Sequence, residues 1–141
     1  MNVTSPADVP DHVAMLDLQR RYGDVVSRRA WDELGELLSP DCELHLALRD
    51  GDRSLHGADE VITFVSSAVA AFDVFLFSVL NAVVGPGPRG RMWIHELRWS
   101  ADGERTDAFG LYEDEFVRGP DGRWCFARRR YTSISGGRFR R

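Results

Sequence analysis

Apolar residues recur at helical spacing in the first part of the chain. Between Asp11 and about Arg29, one stripe is formed by Met15, Leu18, Tyr22, Val25 and Val26. Spacings of this kind place side chains on one face of an α-helix. A second, shorter helix is predicted next, with one face formed by Trp31, Leu34, Leu37 and Leu38. Pro40 is expected to end it. The pattern therefore predicts two consecutive amphipathic helices.

A third helix is predicted to begin near Gly57. Asp59 and Glu60 fall in its first turn, where the helix dipole favours negative charge. Its apolar stripe consists of Val61, Phe64, Val65, Ala68, Val69 and Phe72. Such a stripe needs an apolar surface to pack against, and we expect a sheet to supply it.

The remaining apolar segments alternate with polar residues, as half-buried strands do. The predicted strands cover Cys42–Leu48, Arg53–His56, Val74–Val84, Arg91–Ser100, Thr106–Arg118 and Arg123–Ile134. The third of these is apolar at both parities, so we expect it to be covered on both faces. Turn sequences rich in glycine, proline and aspartate separate the last four strands, which favours an antiparallel meander.

Helices early in the chain and long antiparallel strands late in it predict an α+β fold, with helices on one face of a curved sheet. A chain of 141 residues has the usual size of one domain. We therefore expect a single domain over residues 1–141, in which 1–10 form a loose lead-in and 135–141 a flexible arginine-rich tail.

Charge and composition narrow the possible functions. The net charge of -4 argues against a general nucleic-acid binder, which would normally carry a basic field. The apolar runs are too short to span a membrane, and the first residues do not have the pattern of an export signal. Cys42 and Cys125 fall within strand patterns, where a free cysteine acts as a small apolar side chain. We expect a cytoplasmic protein without nucleic-acid or membrane partners.

Several short motifs accompany these elements in a fixed order. The first part of the chain carries Arg21-Tyr22, Trp31-Asp32-Glu33-Leu34, Leu37-Leu38-Ser39-Pro40-Asp41 and Gly57-Ala58-Asp59-Glu60-Val61. The last strands carry Gly110-Leu111-Tyr112-Glu113-Asp114-Glu115-Phe116 and Asp121-Gly122-Arg123-Trp124-Cys125-Phe126. Together the motifs resemble those of SnoaL-like proteins, members of the nuclear transport factor 2-like superfamily, from about Val13 to Ile134.

The resemblance implies a cone-shaped roll, in which a curved mixed or antiparallel sheet wraps around a deep apolar pocket closed by the three helices. Members of the family include ketosteroid isomerases, scytalone-type and bile-acid dehydratases, polyketide cyclases, and binding or accessory proteins without catalysis. The resemblance therefore implies a cofactor-independent isomerase, dehydratase or cyclase that acts on a hydrophobic, oxygenated small molecule. The alternative is a non-catalytic ligand-binding or accessory subunit. For either function, apolar residues on the outer sheet face, such as Trp93 or Trp99, predict a homodimer.

Two predicted site residues are hydrogen-bond donors by the resemblance. Tyr22 matches the tyrosine that ketosteroid isomerases use in their oxyanion hole and dehydratases use as an acid. A core tyrosine bonded to a backbone carbonyl is the alternative. Asp114 shares its strand face with Tyr112 and matches the second oxyanion-hole residue, a carboxylic acid kept protonated by an apolar site. Its alternative is a carboxylate paired with Arg129 on the neighbouring strand.

The group that transfers the proton is predicted on strand 91–100, whose two faces carry different candidates. Glu96 shares a face with Met92 and Ile94, and bile-acid-type dehydratases have a pocket aspartate at the matching position. His95 is the candidate if the opposite face, which carries Trp93, points inward. Alternation by itself does not decide between these two faces.

The usual general bases of the family are missing from this chain. By the resemblance, the isomerase base falls at Leu46, the acidic residue of the dehydratases at Ser27, and their histidine at Phe77 or Ser78. Only the donor half of the family's site therefore carries over. The expected pocket lining consists of Leu46, Phe64, Phe77, Asn81, Tyr112 and Arg129.

The strand at 42–48 and the residue before it carry three potential metal ligands, since Asp41, Glu43 and His45 alternate on one face. Leu44 and Leu46 occupy the opposite face, so the polar side chains are expected to point away from the pocket. Three ligands at consecutive positions of one face would also be cramped. We predict neither a metal nor a cofactor.

Overall fold

The computed structural model describes residues 9–48 and 50–134. Most of the predicted lead-in at 1–10, and all of the predicted tail at 135–141, lie outside the described residues. The elements are, in order, α1 (Val9–Arg28), α2 (Trp31–Leu37), β1 (Leu38–Leu48), β2 (Gly51–His56), α3 (Ala58–Ala70), β3 (Val74–Val84), β4 (Arg89–Trp99), β5 (Arg105–Arg118) and β6 (Trp124–Ser133).

The apolar stripe predicted for the first helix is buried along α1, as its spacing required. Arg29 ends the helix with a φ of 58°, a left-handed conformation that commonly closes helices. The N–H of Ala30 then donates to the Val25 carbonyl at 3.0 Å. The guanidinium of Arg29 donates to the Phe72 carbonyl at 2.6 Å, which joins this corner to the segment after α3.

The prediction that Pro40 ends the second helix is wrong. The helix α2 ends at Leu37, and Pro40 lies inside β1, which begins at Leu38. The pairing of β1 with β6 shifts register between Leu38 and Glu43. Proline has no N–H to donate, so it is tolerated where a ladder of strand hydrogen bonds is interrupted.

The six strands form one sheet in the order β2-β1-β6-β5-β4-β3. All neighbouring strands are antiparallel except β1 and β6, which are parallel. The predicted meander of the last four strands is therefore confirmed, and the sheet is mixed. Helix α1 packs on β3 and α3 packs on β1, which gives the predicted α+β fold with a curved, unclosed sheet.

The expectation that strand 74–84 is covered on both faces is wrong for the described chain. Phe75 and Phe77 are buried on the inner face of β3, whereas Leu76 and Leu80 on the other side are 44% and 59% exposed. The helices cover only the inner face of the sheet, and β3 is an edge strand. Apolar residues at the second parity therefore form an outer surface that no described helix covers.

The orientation of β4, which alternation left open, is now defined. Met92 and Ile94 are buried on the inner face, and Glu96 follows at the same parity. Trp93 is 41% exposed on the outer face, which also carries His95. The carboxyl of Glu96, and not the imidazole, therefore faces the helices.

Candidate functional site

A cavity of about 450 Å³ lies between the inner face of the sheet and the helices α1 and α3. Of the residues expected to line it, Leu46, Phe64, Phe77 and Tyr112 do so. The complete described lining is Tyr22, Val26, Leu44, Leu46, Leu48, Asp50, Phe64, Val65, Ala68, Val69, Phe72, Phe75, Phe77, Glu96, Arg98, Ala108, Tyr112, Tyr131 and Ser133. Mostly apolar walls with a few polar groups are typical of small-molecule sites.

Three tyrosines lie together in this lining. The rings of Tyr112 and Tyr131 are cross-strand neighbours and stack with centroids 4.9 Å apart. Tyr22 reaches them from α1, with its ring edge-on to Tyr112 at 5.9 Å. Burial raises the pKa of all three phenols. They therefore stay protonated near neutral pH. Tyr22 is hydrogen-bonded to Tyr112 and Tyr131 to Ser133, and a hydroxyl network of this kind can offer a donor to a ligand in the cavity.

Gly110 allows this arrangement. It lies diagonally opposite Tyr131 on the neighbouring strand and has no side chain. A Cβ at Gly110 would overlap the ring and hydroxyl of Tyr131, with the hydroxyl oxygen at 2.5 Å. The ring can lie across β5 only while this position is empty. The orientation of one cavity phenol therefore depends on a glycine.

We expect Gly110→Ala to lower the free energy of unfolding by about 1–3 kcal/mol, because the methyl group would force Tyr131 from its position. Gly35→Ala is the matched control: its Cβ would meet Ile62 at an ordinary 3.6 Å. In α2 that change should stabilise the protein by up to about 1 kcal/mol through helix propensity. Urea unfolding of both variants measures the difference, and equal effects would contradict the proposed overlap.

Glu96 is the carboxyl group of this lining that faces the cavity from within the sheet. Its side chain is 17% exposed, and its ion-pair partner among the described residues is the Arg98 guanidinium, with Nη1 3.8 Å from Oε1. That distance is too long for a hydrogen bond, and no described residue donates one to this carboxyl. Burial raises the pKa of Glu96, and the charge of Arg98 opposes the rise. A carboxyl whose pKa is raised in this way is, when ionised, a stronger base than an ordinary glutamate, so it is suited to proton transfer.

Asp114 is paired with Arg129, the alternative to its predicted role as a protonated donor. Nε of Arg129 donates to Oδ1 of Asp114 at 2.7 Å, and both side chains are 1% exposed or less. The guanidinium also lies 4.0–4.1 Å from the ring centroids of Tyr22, Tyr112 and Phe126. The pair thus fills the core beneath the tyrosines, and neither partner belongs to the described cavity lining.

Each charge of the Asp114–Arg129 pair stabilises the ionised form of the other. Burial raises the pKa of Asp114, while the charge and hydrogen bond of Arg129 lower it. Burial is the largest single effect on Arg129 and lowers its pKa, but Asp114 together with Tyr22 and Tyr112 leaves that pKa above its ordinary value. A neutral Asp114 would leave the guanidinium charge buried without a counterion, so the geometry favours the ionised pair.

Two further predicted residues lie away from the cavity. Nε2 of His95 is 2.8 Å from Oδ1 of Asp107, and its ring stacks on Phe109 on the outer face. Asn81 is exposed on β3, opposite Trp93. Both have the outward parity of their strands, so the structure does not bring them to Tyr22 and Glu96.

Ser27, at the position of the dehydratase acid, contacts Phe77, one of the two positions at which the resemblance puts the dehydratase histidine. Oγ of Ser27 accepts a hydrogen bond from the Phe77 N–H at 2.8 Å and donates to the Phe77 carbonyl at 3.3 Å. The serine therefore attaches α1 to β3. Neither side chain can act as the base in this place.

The polar face of β1 is occupied by surface contacts. Glu43 forms an ion pair with Arg128 at 3.1 Å, and Nδ1 of His45 is 2.9 Å from the Ser54 hydroxyl. Within the described residues, no group of three or more histidine, cysteine, aspartate or glutamate side chains could hold a metal ion.

Sequence reasoning missed the turn residue Asp50 and three polar strand residues of the lining: Arg98, Tyr131 and Ser133. The signal for Arg98 was its parity, since it lies two positions beyond Glu96 on the same strand face. Tyr131 and Ser133 likewise share the parity of Arg129. Parity along a strand could therefore have added these residues once one member of each face was known to point inward.

Comparison with known families agrees with this architecture. The sequence profile of the SnoaL-like domain matches residues 7–130, most of the chain. The chain belongs to the SnoaL-like family. A comparison with the curated protein sequences gave no match.

Several solved structures are similar in fold to this chain over most of its length. The hexachlorocyclohexane dehydrochlorinase LinA-type3 from Novosphingobium barchaimii LL02 superposes with a TM-score of 0.77 at 17% identity, covering 90% of this chain and 88% of that chain. A ketosteroid isomerase-like protein from Erwinia carotovora atroseptica gives 0.68 at 17% identity, with 89% and 98% covered. A variant of Rv3472, a protein of unknown function from Mycobacterium tuberculosis, gives 0.76 at 16% identity, with 97% and 80% covered. At these identities the likeness shows the fold alone.

No helix in the described part of this SnoaL-like chain combines the length and the apolar character needed to cross a bilayer.

Proposed function

We propose that this SnoaL-like protein is a cofactor-independent acid–base enzyme that isomerises, dehydrates or cyclises a hydrophobic, oxygenated small molecule. The observation that carries the proposal is Glu96, a carboxyl of raised pKa that faces an apolar cavity without a hydrogen bond from any described residue. Perturbed carboxyl groups in concave sites are favoured candidates for proton transfer. The phenols of Tyr22, Tyr112 and Tyr131 line the same cavity.

In the proposed reaction, ionised Glu96 removes a proton from the carbon next to a substrate carbonyl. The electron pair of the broken C–H bond moves to the carbonyl oxygen, and an enolate forms. Protonated Glu96 then returns the proton, either to another carbon, which isomerises the substrate, or to a β-hydroxyl group, which leaves as water. One carboxyl thus acts as base and then as acid.

The tyrosines supply the other half of the chemistry. A developing enolate oxygen is stabilised by donors that are already oriented and shielded from water. Tyr22 and Tyr112 are held in place by their ring contacts and by the Arg129 guanidinium packed against both rings. That positive charge lowers the pKa of both phenols against the effect of burial, which strengthens them as donors.

Enolisable ketones, conjugated enones and β-hydroxyketones test this function. The purified protein would be incubated with each compound in D₂O, without added metal or cofactor. NMR then follows deuterium at the α-carbon, and absorbance follows the conjugated enone. Exchange or turnover that requires Glu96 supports the proposal, and a panel in which no compound exchanges or reacts contradicts it.

Tyr22→Phe should lower turnover by about 10²–10³-fold, the typical cost of losing one oxyanion-hole donor. The change removes only the hydroxyl and leaves the ring contacts with Phe77 and Arg129 in place. Steady-state kinetics on the best compound of the panel measure it, with Tyr131→Phe as the comparison. Unchanged turnover in Tyr22→Phe, with a loss in Tyr131→Phe, would assign the donor to Tyr131 instead.

A non-catalytic binding or accessory protein is the second candidate. It is favoured by the missing dehydratase acid and histidine, whose positions fall, by the resemblance, at Ser27 and at Phe77 or Ser78. Such a protein would bind the same ketones without exchange of their α-protons. Copurification with a partner would also point to it, since an isomerase should act alone.

The outer face of the sheet, which no described helix covers, supports self-association in both cases. Leu76, Leu80, Trp93 and Phe109 are all more than 40% exposed there. Contiguous exposed apolar surface usually marks an interface, and a twofold dimer is the commonest outcome. The homodimer and the cytoplasmic location stay predictions.

A further inference from the structure

Arg98 is the cationic side chain of the described cavity lining. Its β4 position faces inward at the same parity as Glu96, and its side chain is 26% exposed. The other charged groups of the described lining are Glu96 and Asp50, of which Asp50 is at an exposed position. The ion pair with Glu96 spans 3.8 Å without a hydrogen bond, so in this largely apolar cavity it leaves polar hydrogens of the guanidinium without an acceptor among the described residues.

The plane of the guanidinium is held on two sides. Nε donates a hydrogen bond to the Thr106 hydroxyl at 3.2 Å. Cζ lies 5.1 Å from the ring centroid of Phe72, a cation–π contact. These contacts use one N–H and one face, and they restrict how the side chain can turn.

The two terminal nitrogens of Arg98 are left with donors to spare. Neither forms a hydrogen bond with a described residue, since the Glu96 carboxyl is 3.8 Å from Nη1. A guanidinium presents its donors as a planar fork that matches the two oxygens of a carboxylate. The free edge therefore has the geometry of a recognition site for a planar oxyanion.

We propose that Arg98 binds a carboxylate group of the substrate, which assigns the ligands of this cavity to hydrophobic carboxylic acids. The inference rests on the proposed function, because it names the substrate class of that same site. The tyrosines and Glu96 then act on the part of the molecule that carries the carbonyl or hydroxyl group. Arg98 orients the substrate and takes no part in proton transfer.

Binding of a carboxylate at Arg98 has a consequence for Glu96. The bound anion neutralises the guanidinium that opposes protonation of Glu96, and it adds a negative charge near the carboxyl. Both effects raise the pKa of Glu96, so the complex should take up protons when the anion binds, and the carboxylate that removes the substrate proton becomes a stronger base. Asp50 adds a further negative charge to the lining, but its position is exposed and solvent screens the charge.

Calorimetric titration with 2-naphthoate and with 2-acetonaphthone, its neutral ketone counterpart, tests the inference. The wild type should bind the naphthoate about tenfold or more tightly than the ketone, as expected for charge-assisted hydrogen bonds. Arg98→Met should lose this preference and keep its affinity for the ketone, which also shows that the variant is folded. Arg53→Met is the matched control, because Arg53 lies 4.9 Å over the Phe64 ring but outside the described lining.

Titrations in two buffers of different ionisation enthalpy measure the proton uptake. The wild type should take up protons with the naphthoate, and Glu96→Gln should not. Equal affinity of the wild type for both probes, a preference retained in Arg98→Met, or binding of neither probe overturns the inference. Ketone binding without a naphthoate preference leaves the proposed function intact. A naphthoate preference together with full turnover in Glu96→Gln overturns the proposed function alone.

Discussion

Glu96→Gln should lower turnover by about 10²–10⁴-fold, the usual contribution of a positioned acid or base. The amide keeps the shape and the approximate hydrogen-bonding capacity of the side chain, but it can neither take nor return a proton. Substrate affinity should change much less than turnover, because the lost interaction belongs to the transition state. Steady-state kinetics and the rate of α-proton exchange in D₂O measure the effect.

Glu113→Gln is the control for this substitution. Glu113 lies on β5 at an exposed, outward position, opposite Arg91 and Arg130, so its change should leave turnover unaltered. Comparable losses in both variants would show that the effect is not specific to the cavity. Turnover that survives in Glu96→Gln would remove Glu96 from the mechanism.

The ionisation of Glu96 also predicts how the rate depends on pH. Because burial raises its pKa, the proportion of carboxylate should increase as the pH rises through a value above the ordinary range for glutamate. If proton removal limits the reaction, kcat/KM rises with pH across that interval. The dependence should be absent from the residual activity of Glu96→Gln.

The free energy of unfolding should also depend on the ionisation of Glu96. The folded pKa is higher than the unfolded one, so ionisation costs stability as the pH rises from about 4 through the folded pKa. Glu96→Gln lacks this cost and should become more stable than the wild type across that interval. Thermal unfolding over a pH series would therefore also show that the variant's loss of turnover is not a loss of fold.

Arg129→Met should lower the free energy of unfolding by about 3–5 kcal/mol, the cost of removing one partner of a buried ion pair. The substitution leaves the Asp114 carboxylate buried without a counterion, and three aromatic rings lose their contact with the cation. That is a large share of the stability of a domain this size, which is typically about 5–15 kcal/mol. Urea unfolding at neutral pH measures it.

The pH dependence of Arg129→Met identifies the cause. Without the guanidinium, burial acts on Asp114 unopposed and raises its folded pKa further above the unfolded value than in the wild type. The deficit relative to the wild type should therefore be small below about pH 4 and grow as the pH rises. A deficit independent of pH would assign the loss to packing around the aromatic rings instead.

Two further variants serve as comparisons for the unfolding of Arg129→Met. Arg128→Met changes the adjacent residue of β6, which is 64% exposed and pairs with Glu43 at the surface, and it should cost no more than about 1 kcal/mol. The double variant Arg129→Met/Asp114→Leu should recover much of the loss, because it replaces the buried pair by apolar groups. No recovery would show that the charge of Asp114 is not what destabilises the single variant.

Much of the fold follows from local patterns. The stripe from Met15 to Val26 is buried along α1, and the alternation of the last four strands gives the antiparallel meander. The predictions were wrong where an arrangement between distant parts of the chain overrode a local sequence rule. Pro40 ends helices in general, but here it lies in the interrupted part of the β1–β6 ladder. The apolar second face of β3 indicated burial, but no described helix lies on that side.

The sequence by itself determined that helices and strands of this kind form and that Tyr22, Glu96 and Asp114 are polar groups at positions of apolar pattern. Only the tertiary structure decided how each carboxyl is used. Asp114 lies directly opposite Arg129 across β5 and β6, whereas Glu96 lies opposite Ala108 and Phe77 and keeps its carboxyl for the cavity. Cross-strand register pairs residues that are distant in sequence, and a shift of one residue would turn every side chain to the other face. Alternation is local and is the same for either face, so it could not contain that information.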